Sequence, residues 1–144
     1  MKLLTILLVS LLSVSLISAH QCGVHQCDEL NTCVLDGTYS CHYHCNEIMI
    51  EQSIVSKWSD DNNTEPNLQV EVKIINVGHR HIRDVIIGTI RIDEQRIWGV
   101  TIDQGKNIHL PSYVTLAPGE SHSFGYLKRG HFAATLFVKA VTLN

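Results

Sequence analysis

Residues 68–76, LQVEVKIIN, alternate strictly, with Val70, Val72 and Ile74 on one side and Gln69, Glu71 and Lys73 on the other. That period of two belongs to an extended strand with one buried and one wet face, because successive side chains point to opposite sides of a sheet. The pattern repeats along the chain. Residues 84–92 (DVIIGTIRI) are β-branched nearly throughout and read as a strand buried on much of both faces. Residues 97–102 (IWGVTI), 121–127 and 132–143 read as further strands, and 47–57 as an earlier one. Residues 77–81, 93–95, 104–106 and 118–119 supply the turns, with Pro118-Gly119 the clearest, and Gly130 ends a strand. Six or seven short strands at this spacing predict an all-β chain folded as an antiparallel β-sandwich, with no helix of useful length.

The start of the chain reads differently. Lys2 precedes an apolar stretch over residues 3–17, and Ile17-Ser18-Ala19 ends it with a small residue. This is the pattern of a signal peptide over residues 1–19, cut before His20, and the stretch is too short for a membrane span. The expectation is a secreted, extracellular protein. Removing Lys2 would take the formal net charge from −3 to −4. No clustered basic face points to nucleic acid, and no membrane partner or cofactor is expected.

All five cysteines, Cys22, Cys27, Cys33, Cys41 and Cys45, fall in one short segment. In an exported chain they are disulfide candidates, two bridges and one leftover thiol in any of 15 arrangements. The expected organisation is a small disulfide-rich segment over 20–46 and a sandwich over 47–144. Cys41, His42, His44 and Cys45 also form a possible zinc set, which the oxidising compartment disfavours. Asn62-Asn63-Thr64 is an N-glycosylation sequon, so Asn62 is expected to be glycosylated in an exposed loop.

Two resemblances follow from particular residues. The cysteine spacing of residues 22–45 resembles short follistatin or EGF-like repeats, with one cysteine missing. Residues 58–141 carry, in order, Trp58, Asn76-Val77-Gly78, IWGV at 97–100, LPSY at 110–113, LAPGES at 116–121 and FGY at 124–126. That order resembles the cellulose-binding modules of carbohydrate-binding family 49, found in plant endoglucanases and social-amoeba wall proteins. The resemblance implies a sandwich that displays planar aromatics to a polysaccharide, cellulose above all. The corresponding residues are Trp58, Trp98 and Tyr113.

Such a role has a physical basis. The apolar face of a sugar ring packs on an aromatic ring for about 1–2 kcal/mol, by analogy with aromatic pairs. Several rings on a rigid sheet act together on a repeating polymer. Asp61, Asn62, Gln95, Gln104 and Asn107 are candidate rim hydrogen-bonding groups. Two of the aromatics also have an interior reading: Trp98 shares parity with Val100 and Ile102, and Tyr113 could be a core tyrosine, whereas Trp58 lies beside a polar loop and is expected to be exposed.

No nucleophile elbow or zinc-hydrolase motif is present, so a non-catalytic binder is expected. Two alternatives compete with it. The cysteine-rich segment could be an extracellular protein-interaction module. Cleavage before His20 could also create the terminal-histidine copper grip of polysaccharide monooxygenases, with His79, His81 or His122 as second ligand.

Overall fold

The computed structural model describes residues 19–60, 65–90 and 92–144. The expected leader up to Ser18 and the glycosylation site Asn62 lie outside these residues. Among them the chain is almost entirely β-structure, broken by one 3-10 turn at Glu94–Arg96. The strands are β1 (His20–Cys22), β2 (His25–Cys27), β3 (Thr32–Asp36), β4 (Thr38–His42), β5 (Ile48–Trp58) and β6 (Asn67–Asn76). They continue with β7 (Ile82–Ile90), β8 (Ile97–Trp98), β9 (Thr101–Ile102), β10 (Ile108–His109), β11 (Ser121–Arg129) and β12 (Thr135–Leu143).

Two sheets face each other. One has the order β5-β6-β11-β8, the other β4-β3-β12-β7-β10-β9, and β1-β2 is a separate hairpin. The alternation of residues 68–76 is borne out, since Val70, Val72 and Ile74 are fully buried while Glu71 and Lys73 are exposed. Phe124 and Tyr126 of β11 join them and meet Val85 and Ile87 of β7, Ile108 of β10 and Val141 of β12. Each side chain withdrawn from water in this way contributes about 1.5–3 kcal/mol. The buried Tyr126 hydroxyl donates to Gln52 Oε1 at 2.7 Å and accepts from the Ala134 amide at 2.8 Å, so burial leaves it satisfied.

The cysteine-rich segment shares a sheet with the sandwich. β3 pairs in parallel with β12, placing Val34 beside Val141 on the core side and Cys33 beside Ala140 on the outer side. The bridges are Cys22–Cys33 and Cys27–Cys41, and Cys45 is free. Cys33 and Cys41 are cross-strand partners, so both bridges hold the β1–β2 hairpin to the outer face of the six-stranded sheet. The four-stranded sheet has no such cover among the described residues.

Residues 97–102 do not form the single strand expected. Gly99 has φ +85°, a conformation that favours glycine, and there the chain leaves one sheet for the other. β8 therefore pairs with β11 while β9 pairs with β10. The parity that linked Trp98 to Val100 and Ile102 is broken at that glycine.

Candidate functional site

Trp98 is held on the uncovered outer face of the four-stranded sheet. In the register of β8 and β11, Ile97 lies opposite the core residue Tyr126, so Trp98 and its partner Gly125 face outward. A Cβ on Gly125 would lie 2.4 Å from the Trp98 ring, which shows that the indole rests directly on the glycine backbone. Trp98 is 46% exposed. Beside it lies a shallow hollow of about 200 Å³ lined by Val55, Gln69, Glu71 and Ser123. The side chains of Gln69, Glu71 and Ser123 make no hydrogen bond among the described residues, leaving donors and acceptors open next to an aromatic ring.

Trp58 ends β5 at the far corner of this face. It pairs with Asn67, which pairs with Arg129, whereas the Trp98 row runs through Gly125, Glu71 and Ser53. Four residues along the strands and three strand spacings across separate the two tryptophans by roughly 20 Å. An irregularity between Ile54 and Ser56 marks β5 on the way, and Val55 there lines the hollow beside Trp98. Trp58 is 40% exposed, and Asp60 beyond it accepts from Asn67 Nδ2 at 3.0 Å.

Tyr113 stands at the tip of a turn closed by Val114 N to Pro111 O at 2.8 Å and is 85% exposed, so the core reading of this residue does not hold. Its loop belongs to the other sheet: it leaves from β10, and Leu116 bridges back to Ile82 at the start of β7. The fully buried Asn76 fixes this end of the molecule. Its side chain donates to Arg80 O and Leu116 O and accepts from the Gly78 amide at 3.0 Å.

A polar cluster lies nearby on the six-stranded sheet. His109 binds Asp103 through Nε2 at 2.8 Å and Asp84 through Nδ1 at 3.2 Å. Burial pushes the imidazole pKa down, but the two carboxylates outweigh it and raise the pKa above the ordinary value. Burial likewise pushes Asp103 up, and hydrogen bonds from His109 and Asn107 more than compensate, holding its pKa at about 2. With both ring nitrogens occupied, His109 has none free to take a proton from a nucleophile, so the cluster is not a hydrolytic triad. Asn107, expected at a binding rim, is committed to Asp103 and Lys139.

Cys41 is spent in a disulfide, and His42 bonds Ser40 Oγ, which dismantles the zinc set. Burial lowers the His20 pKa, with the Lys139 charge adding to the effect, and His122 bonds Gly99 O. Sequence reasoning missed Gly125, the seat of Trp98. Its signal was present in the FGY motif, where a glycine sits between two core aromatics on the outward side.

The sequence model of the family described as carbohydrate binding domain CBM49 matches residues 48–129, more than half of the chain. The chain belongs to this family. The match starts with β5, ten residues before the stretch that carried the resemblance, and stops at the end of β11. It therefore includes the whole four-stranded sheet with Trp58, Trp98 and Gly125, as well as Tyr113. No curated protein and no solved structure matches. This CBM49 domain is a carbohydrate-binding module by family.

Proposed function

We propose that this chain is a secreted, non-catalytic extracellular protein of a matrix or cell wall. It binds cellulose or a closely related β-linked polysaccharide through the outer face of the four-stranded sheet. One observation carries the reading: the Trp98 indole lies exposed on Gly125 in the sheet that has no disulfide-held cover, beside open polar groups. A ring seated on a backbone loses little rotamer freedom when a sugar stacks on it, so less of the contact energy is spent on ordering. Trp58 offers a second contact roughly 20 Å away, a spacing suited to a long chain or an ordered surface rather than one sugar.

The test is retention of the processed protein on crystalline cellulose, with Trp98→Ala and Trp58→Ala in parallel and folding checked by near-UV circular dichroism. The account expects wild-type retention that resists moderate salt and weakens about tenfold in folded Trp98→Ala. Wild-type protein that stays in solution would overturn it.

A further inference from the structure

The cavity beside the His109 cluster, on the other sheet, is not used by the Trp98 face. It is an open depression of about 390 Å³, and its lining includes Arg83, Asp84, Thr101, His109 and Ser112. β7, β9 and β10 set its floor, since His109 pairs with Thr101 on one side and Ile86 on the other. The turn at residues 111–114 forms a wall, with Tyr113 exposed at its tip next to Ser112.

The polar groups around this cavity divide into two sets. Asp103 is saturated: both oxygens accept from Asn107 and Oδ2 also from His109. Its part is to hold the imidazole, which in turn fixes Asp84 through Oδ2. The second set is open. Asp84 Oδ1, the Arg83 guanidinium and the hydroxyls of Thr101 and Ser112 have no hydrogen-bond partner among the described residues. One side thus offers an acceptor, one a cationic donor, and two hydroxyls can do either, all on rigid strands or a closed turn.

We propose that this cavity is a second carbohydrate site, which takes one end of a single neutral β-linked sugar chain. Adjacent sugar hydroxyls each donate and accept, matching Asp84 Oδ1 as acceptor, Arg83 as donor and the hydroxyls of Thr101 and Ser112 between them. Tyr113, which follows the lining residue Ser112 and is exposed, offers a ring for the next sugar. The site differs from the Trp98 face in its recognition groups, which are a carboxylate, a guanidinium and two hydroxyls where that face centres on a seated aromatic ring. Two sites on opposite sheets make the module able to bridge two polysaccharide chains. The choice of sugar as ligand rests on the carbohydrate-binding reading above.

Soluble β-1,4-linked glucose hexasaccharide, titrated into the intact processed protein and followed by amide NMR, tests this alongside retention on crystalline cellulose. Expected are shifts at Thr101, His109 and Ser112. Arg83→Ala, which alters an exposed group, should weaken hexasaccharide binding at least fivefold and leave cellulose retention unchanged, and Tyr113→Ala should weaken hexasaccharide binding as well. Trp98→Ala should do the reverse. Hexasaccharide binding lost in Trp98→Ala but intact in Arg83→Ala, or absent while cellulose retention persists, would overturn the second site and spare the first. Failure of both probes would remove the carbohydrate reading together with this one.

Discussion

Asn76→Ala should be among the most damaging single changes to the fold. The side chain is fully buried and makes three hydrogen bonds: to Arg80 O at 2.7 Å, to Leu116 O at 2.9 Å and from Gly78 N at 3.0 Å. Leu116 O would keep a partner, because it also accepts from Ile82 N. The Gly78 amide and Arg80 carbonyl would not. Leaving two such groups unpaired costs about 1–3 kcal/mol each, and partial hydration near the exposed Arg80 brings the sum to about 3–4 kcal/mol. For a domain of this size that is a fall in Tm of about 10–15 °C. Asn76→Asp should be at least as costly, since an ionised carboxylate would face two carbonyls. Thermal unfolding followed by circular dichroism measures both. A fall below about 3 °C in Asn76→Ala would refute the assignment of this residue as the tie between the loops at 77–81 and 116–120.

Other outcomes follow from single contacts. Gly125→Val should displace the Trp98 indole and cut cellulose retention about as much as Trp98→Ala, with the protein still folded; unchanged retention would mean that the seated ring is not the contact. The stability difference between wild type and Asp103→Asn should be greatest near pH 5. The Asp103 contribution is present above its unfolded pKa of about 4 and lost as pH falls towards 2, whereas that of His109 is present below about 6.5 and lost as pH rises through its raised value. Because the Asp103 and Asp84 side chains are partly solvated, screening keeps the difference to about 1 kcal/mol, measurable by urea unfolding at several pH values. Unreduced protein should take up one alkyl group, at Cys45, more slowly than an ordinary thiol because burial raises its pKa. Peptide mapping that locates the label on another cysteine would contradict the two bridges.

The core was readable because period-two patterns needed no knowledge of distant partners: Val70, Val72 and Ile74 could only share a face. Phe124 was equally legible. The division of residues 97–102 between two sheets was not, because Gly99 looks locally like any strand glycine and its positive φ depends on where β11 and β10 lie. The same dependence hid the seat of Trp98, since the contact with Gly125 joins residues that are neighbours only in the folded sheet. The disulfides illustrate the limit most plainly: composition allowed 15 pairings, and only the folded chain shows the cross-strand neighbours Cys33 and Cys41 each bridged to a cysteine of the β1–β2 hairpin. The His109 cluster was invisible in sequence because Asp84 lies well before Asp103 and His109 in the chain and reaches them only through the pairing of β7 with β10.

The central claim is that an aromatic ring seated on the four-stranded sheet grips a polysaccharide. Retention of processed wild-type and Trp98→Ala protein on crystalline cellulose, at matched folding, tests it most directly. The account predicts salt-resistant retention of the wild type and about tenfold weaker retention of the variant. Equal retention of the two proteins, or none by either, would contradict it.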